Sequence, residues 1–140
     1  MFSKKVMIVI SATLAVLGAG CVKKEVSFKQ DVHPVLQKSC LSCHSPGGEG
    51  YAVSGFSVQT YESVMQGTKF GPVIVSRSSI SSTVMLLLEH KADPSINMPR
   101  SRAQSLLEHE KYLNDWKVPK LPADQIRLIG NWIDQGAKNN

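Results

Sequence analysis

Residues 40–44 of this 140-residue chain are Cys40-Leu41-Ser42-Cys43-His44, and the interpretation of the remaining sequence starts from this pentapeptide. Two thiols three positions apart at the end of a helix can form thioether bonds to the two vinyl groups along one edge of a porphyrin. The residue that follows then directs its imidazole at the iron. The pattern therefore predicts a covalently attached haem c, held by Cys40 and Cys43, with His44 as the first axial ligand.

Two other functions of a CxxC pair are disfavoured by the remaining sequence. A structural zinc site needs four ligands, and the chain has no second Cys pair and no His pair at zinc-finger spacing. A redox disulfide is typical of a thioredoxin-like βαβ unit, and the sequence lacks that pattern. The histidine directly after the second cysteine favours haem attachment over both.

A second axial ligand is expected far along the chain from the haem motif. Met98 stands in Asn97-Met98-Pro99, after a turn-forming stretch, and Pro99 biases it toward extended geometry. A loop can carry its thioether to the opposite face of the haem, so we predict Met98 as the sixth ligand. The other side chains able to bind iron are expected in the core, on the surface or on the proximal side: Met65, Met85, His33, His90 and His109.

The first 20 residues have the pattern of an export signal. Lys4 and Lys5 precede an apolar run of 12 residues from Val6 to Leu17, and small residues follow it. A permanent membrane-spanning helix needs about 20 apolar residues. Residues 1–20 are therefore interpreted as a signal peptide, which implies export to an oxidising compartment.

Cys21 directly follows this signal. The segment Leu17-Gly18-Ala19-Gly20-Cys21 resembles the lipobox of bacterial lipoproteins, in which the cysteine is lipidated and becomes the mature N-terminus. Cys21 would otherwise remain an unpaired thiol, because Cys40 and Cys43 are used together. We predict lipidation of Cys21 and a tether over residues 21–27; an ordinary cleaved signal is the alternative.

The charge balance does not indicate a nucleic-acid partner. The formal net charge is +5, and without Lys4 and Lys5 the chain from Cys21 onward has 14 basic and 11 acidic residues, or +3. This excess is small and scattered, so we expect no binding to nucleic acid.

Apolar spacing predicts a first helix that starts near Ser27 and delivers the haem motif. Pro34 lies either in the first turn of a regular helix that starts near His33 or at a kink after an earlier turn. A last helix is predicted from near Pro122 to Gly136. Gly130 in its middle suggests a close crossing with the first helix.

The middle of the chain is predicted to alternate short helices with loops. Helices are expected over Tyr61–Gln66, between Thr60 and Gly67, and from Thr83 to about Lys91. Loop or extended structure is expected over 45–50 and 71–75, with a β-hairpin as the alternative for the latter. Residues 101–116 are charged and helix-compatible. We expect either an added helix or long loop near the exposed haem edge, and so a candidate partner surface, or a solvated structural insertion.

Taken together, the haem motif, the Met98-Pro99 loop and the closing Ile129–Ala137 segment, which contains Trp132, resemble class I monohaem cytochromes c. Within them the sequence is similar to the bacterial domains called the planctomycete type, over about residues 28–140. The resemblance implies an all-α fold in which the N-terminal and C-terminal helices pack around one covalent haem. It also implies His44 and Met98 as the axial ligands.

The function implied by this resemblance is electron transfer without substrate chemistry. We expect an exported cytochrome that passes single electrons between redox proteins, such as a respiratory complex or other cytochromes. It would be lipid-anchored on the periplasmic or cell-surface face of a bacterial membrane. The alternatives are a haem-based sensor or small-ligand binder with a displaceable sixth ligand, a peroxidase-like enzyme, and a permanent subunit of a larger complex.

Overall fold

Short helices joined by loops make up the part of the chain that the computed structural model describes, residues 24–100 and 120–140. A π-helical segment, Phe28–Val32, leads into the first α-helix, and a 3-10 turn, Pro94–Ile96, lies between the fourth and fifth. The α-helices of these residues are α1 (His33–Cys40), α2 (Glu49–Ser54), α3 (Tyr61–Gln66), α4 (Thr83–Leu88) and α5 (Ala123–Asp134).

The described residues contain no β-strand, which confirms the predicted helical fold. A single β-bridge joins Thr68 and Gly71 within them, so the alternative of a hairpin over 71–75 is not realised. The segment instead runs as irregular chain with Ile74 buried in the core.

Helical structure starts close to Ser27 as predicted, and the first of the two possibilities for Pro34 is realised. Ser27 caps the π-helical segment by accepting a hydrogen bond from the backbone N–H of Gln30, while Asp31 accepts one from the backbone N–H of Ser27. The regular helix then begins at His33 with Pro34 in its first turn, where a missing N–H costs nothing. Phe28, Val32 and Leu36 bury one face of this helix.

An aromatic cluster joins the two ends of the chain. The ring of Phe28 lies 5.3 Å from that of Trp132 on α5 and 5.2 Å from that of Tyr61 on α3, centroid to centroid. Trp132 is buried and donates from Nε1 to the carbonyl of Lys138, and the Tyr61 hydroxyl donates to the carbonyl of Ala137. The packing of the first helix against the last is thus confirmed.

Gly130 has a different neighbour from the one predicted. A Cβ atom on Gly130 would lie 3.3 Å from Cε of Met85 and 3.9 Å from Cβ of Ser79. The expected close crossing with the first helix is wrong, because this face of α5 lies against α4. Met85 fills the space that the missing side chain leaves.

The helices α3 and α4 both form where they are predicted, but α4 is shorter than expected. Thr60 and Ser63 form a reciprocal capping box at the start of α3, which ends at Gly67. Ser82 precedes α4, but its hydroxyl donates to the carbonyl of Ser78 instead of capping the helix. The fourth helix ends at Leu88, earlier than predicted, because His90 adopts a left-handed conformation.

Residues 24–27, the last part of the predicted tether, pack against the C-terminal end of the chain. The Val26 N–H donates to Oε1 of Gln135 at 2.7 Å, and Nε2 of Gln135 donates to the Lys24 carbonyl at 3.2 Å. The Ser27 hydroxyl donates to the Asn140 carbonyl at 2.7 Å. The folded unit therefore includes these residues.

Several predictions concern residues outside the described part of the chain. They are the signal peptide over 1–20, the lipidation of Cys21, the start of the tether, His109 and the charged segment 101–116. Within the described residues no helix is long and apolar enough to cross a membrane.

Candidate haem site

The end of α1 brings the two thiols and the histidine of the motif together. Cys40 is the last residue of α1, and its carbonyl accepts hydrogen bonds from the backbone N–H groups of Cys43 at 3.2 Å and His44 at 2.8 Å. The chain thus continues for another turn after the helix. Cys40 and Cys43 are free, partly buried thiols, and can each form a bond to a haem vinyl group.

The thiol of Cys40 is shielded from water in this arrangement. Burial raises its pKa to about 11, and the neighbouring Cys43 acts in the same direction. A thiol with such a pKa is almost wholly protonated at neutral pH. The same burial places the Cys40 sulfur against the apolar core, where a porphyrin edge can pack.

The imidazole of His44 is held by Phe56. Its Nδ1 lies 3.3 Å from the Phe56 carbonyl, which can only accept, so Nδ1 carries the proton. The Phe56 ring meets the imidazole edge-on, with centroids 5.4 Å apart. Burial lowers the pKa of His44, partly offset by the hydrogen bond to Phe56, and the resulting neutral tautomer leaves the Nε2 lone pair for a metal.

Gly50 leaves room beside this nitrogen. A Cβ atom at this position would lie 2.8 Å from Cε1 and 3.0 Å from Nε2 of His44, closer than side-chain carbons approach other atoms. Only glycine therefore fits against the imidazole. The bare backbone of Gly50, the protonated Nδ1 and the two thiols together fit a haem c whose iron is bound at Nε2.

The short helix α2 places Gly50 at this point, and it was not predicted from the sequence. The glycine-rich stretch before Tyr51 predicts a loop over 45–50. The helix forms because the Tyr51 N–H donates to the carbonyl of Cys43 at 2.9 Å, which ties α2 to the haem motif. Gly50 and Phe56 are thus site residues that sequence reasoning missed. The glycine-rich stretch is a signal for Gly50, and no sequence signal marks Phe56.

Met98 lies at the far end of a tightly bonded loop. Its side chain is partly buried and packs against the apolar core. Its backbone N–H donates to the Leu87 carbonyl at 3.1 Å, and its carbonyl accepts from Nε2 of His90 at 3.0 Å. The ligation of iron by Met98 stays a prediction.

The competing side chains of the described residues have structural partners. Met85 is buried beside Gly130, and Met65 packs against the core. Nε2 of His33 lies 3.2 Å from the Val58 carbonyl and 3.0 Å from the Gln59 carbonyl, so it is occupied as a donor. These positions agree with the structural roles expected for Met65 and Met85.

The helical fold of the described residues and the arrangement around His44 are consistent with a c-type cytochrome domain. Residues 40–101 match the family model described as planctomycete cytochrome C, which confirms the resemblance over this part of the chain. Such a match implies covalently bound haem c and suggests a haem-binding role in electron transfer.

One curated relative is an enzyme subunit. The chain is 25% identical over 134 residues to hydrazine synthase subunit alpha of Kuenenia stuttgartiensis. The match covers 83% of this chain and 16% of that protein. The chain thus spans a small part of the length of this relative. No solved structure matches the chain significantly.

Proposed function

We propose that this protein is an exported, lipid-anchored monohaem cytochrome that passes single electrons between redox proteins, with His44 and Met98 as axial ligands. The observation that carries the proposal is the environment of His44. Phe56 fixes the proton on Nδ1, and Gly50 keeps the space beside Nε2 free. An imidazole with its proton fixed on Nδ1 has the Nε2 lone pair available for a metal.

The haem would supply a one-electron ferric/ferrous couple when bound. Cys40 and Cys43 would hold it through thioether bonds, so that the cofactor cannot dissociate. A thioether ligand from Met98 favours the ferrous state compared with a second histidine, and apolar surroundings raise the reduction potential further. The buried residues next to the motif, Leu36 and Val58 among them, provide such surroundings.

Attachment to a membrane would start close to the folded domain. Residues from Lys24 onward pack against the C-terminal end, so that only Val22 and Lys23 lie between Cys21 and the described chain. The Cα atoms of Cys21 and Lys24 are three residue steps apart and lie at most about 11 Å from each other when the chain is extended. A lipidated Cys21 would therefore hold the cytochrome at the membrane surface, where a redox protein of the same membrane is a suitable partner.

The ligand set is tested with optical and EPR spectra of the oxidised and reduced holoprotein, beside Met98→Ala. We expect a low-spin wild type with a methionine-to-ferric charge-transfer band in the far red, which Met98→Ala abolishes. Met65→Leu is the matched control, because Met65 packs against the core, and it should keep the band. A high-spin wild type would contradict the proposal and support the sensor or ligand-binding alternative.

The anchor is tested separately by mass spectrometry of the mature N-terminus in the membrane fraction. We expect a lipid-modified Cys21, and a Cys21→Ser variant that keeps its haem spectrum but leaves the membrane fraction. An unmodified N-terminus in the soluble fraction would overturn lipidation without affecting the electron-transfer proposal.

A further inference from the structure

His90 has an unusual backbone conformation at the end of α4. Its φ is +54°, in the left-handed region that glycine adopts without strain and other residues seldom occupy. Its N–H donates to the Leu87 carbonyl at 3.2 Å, and the N–H of Lys91 donates to the Leu86 carbonyl at 2.9 Å. This pair of bonds is the Schellman ending of a helix, in which glycine is the usual residue at the left-handed position.

A histidine at a glycine position points to a use for its side chain. Nε2 of His90 lies 3.0 Å from the Met98 carbonyl, and since a carbonyl only accepts, the imidazole donates. The Met98 N–H in turn donates to the Leu87 carbonyl at 3.1 Å. Both backbone polar groups of Met98 are therefore bound to the last turn of α4 and the residue that ends it.

The loop between these two residues is closed by its own hydrogen bonds. Oδ1 of the buried Asn97 accepts from the Ala92 N–H at 3.2 Å, and its Nδ2 donates to the Ala92 carbonyl at 3.3 Å. The Asp93 carboxylate accepts from the Ser95 N–H at 2.8 Å. These hydrogen bonds stabilise the loop between His90 and Met98. The bond from His90 then fixes the position of Met98 relative to α4.

We propose that His90 is a positioning residue that holds Met98 in place for the iron, so that it controls how readily the sixth ligand leaves. The inference rests on the proposed role of Met98 as axial ligand. His90 does not bind the haem in this scheme. Its imidazole fixes the Met98 backbone on the carbonyl side, while Leu87 fixes it on the N–H side.

Loss of the imidazole leaves one of the two bonds. The backbone of Met98 is then held only by its bond to Leu87 and can move more freely. The form of the protein in which the sixth position of the iron is open becomes more populated. Exogenous imidazole competes for that open form, and its apparent affinity rises with the population of the form. The loss of one hydrogen bond predicts an increase of about fivefold to tenfold in that affinity.

The test uses the full-length holoprotein with His90→Gly, which removes the donor and relieves the left-handed strain. We expect a weaker methionine charge-transfer band and fivefold to tenfold tighter binding of added imidazole, while the helix end keeps its stability. Arg77→Gly is the matched control. Arg77 is an exposed residue that also has a left-handed φ, +69°, and its backbone N–H bond to Ile133 remains. Arg77→Gly should leave both readouts unchanged.

His90→Gln provides the rescue, because a glutamine amide nitrogen reaches about as far from the backbone as Nε2 and donates as well. We expect it to restore most of the wild-type band and affinity. Equal imidazole affinities in wild type and His90→Gly, with the charge-transfer band present in both, would overturn the role of His90 alone. A wild type without the band would overturn the ligation by Met98 and the role of His90 together.

Discussion

Gly50 packs its bare α-carbon against the imidazole of His44, and no side chain fits between the two. The close approach explains why a glycine stands inside α2, where its backbone is not left-handed and where glycine weakens a helix. The absence of a side chain at Gly50 thus allows α2 to pack against the imidazole of His44.

Gly50→Ala should disturb the proximal side of the haem. The added methyl group must push either the imidazole or α2, and overpacking of this kind costs about 1–3 kcal/mol. We expect less covalent haem per polypeptide and altered EPR g-values in the holoprotein that does form. The measurements are the haem-to-protein ratio and the free energy of unfolding in denaturant.

Gly130→Ala is the control for this substitution. Its new methyl group would lie 3.3 Å from the flexible end of Met85 and at an ordinary 3.9 Å from Cβ of Ser79. Alanine is also favoured over glycine inside a helix by about 1 kcal/mol. We expect unfolding free energy within about 1 kcal/mol of wild type and an unchanged spectrum. Equal behaviour of the two variants would show that Gly50 does not limit the His44 ring.

Two of the contacts that hold the N-terminal segment should differ in strength. Gln135 bonds to backbone atoms of Val26 and Lys24, whereas Lys138 pairs with Glu25 at 2.7 Å between side chains that are 61% and 57% exposed. Exposed ion pairs contribute little, since water and salt screen them. Gln135→Ala should therefore lower the free energy of unfolding by about 1–2 kcal/mol, and Lys138→Ala by less than about 1 kcal/mol.

Urea titrations at low and high salt separate these contributions. Only the contribution of Lys138 should shrink with added salt. A larger loss in Lys138→Ala than in Gln135→Ala would contradict the assignment.

Trp132 should be the residue of α5 on which the fold depends most. It is buried, contacts Phe28 and Tyr61, and donates to the carbonyl of Lys138. Trp132→Ala should cost about 3–5 kcal/mol, and Tyr61→Phe, which removes only the hydroxyl bonded to Ala137, about 1 kcal/mol. Thermal unfolding of the holoproteins measures both, and similar losses would argue against a central role for the indole.

The elements predicted correctly are those whose signals are local. Thr60 and Gly67 mark the ends of α3 because a cap and a stop act within one turn, and Pro34 marks the start of α1 for the same reason. The haem motif is local as well. Its spacing predicts haem attachment at Cys40 and Cys43, and this assignment stays a prediction.

The features that were missed depend on contacts between distant residues. The helix α2 follows a glycine-rich stretch that resembles a loop, and it forms against the Cys43 carbonyl. The partner of Gly130 is Met85, and apolar periodicity cannot tell which helix lies opposite a glycine. The hydrogen bond from His90 to Met98 depends on the left-handed backbone of His90, and no sequence pattern predicts that conformation for a histidine.

His33 should prove irrelevant to the iron although it is a histidine on the helix that carries the haem motif. Its Nε2 donates to the carbonyls of Val58 and Gln59, and its ring stacks on Phe28 at 5.1 Å. His33→Ala should therefore keep the wild-type spectrum and imidazole affinity, unlike His90→Gly, while it lowers the unfolding free energy by about 1–2 kcal/mol. His33→Gln, which keeps a donor, should recover part of that loss. If His33→Ala instead removed the low-spin spectrum, His33 would be an axial ligand, and the assignment of Met98 to the distal side would fall with it.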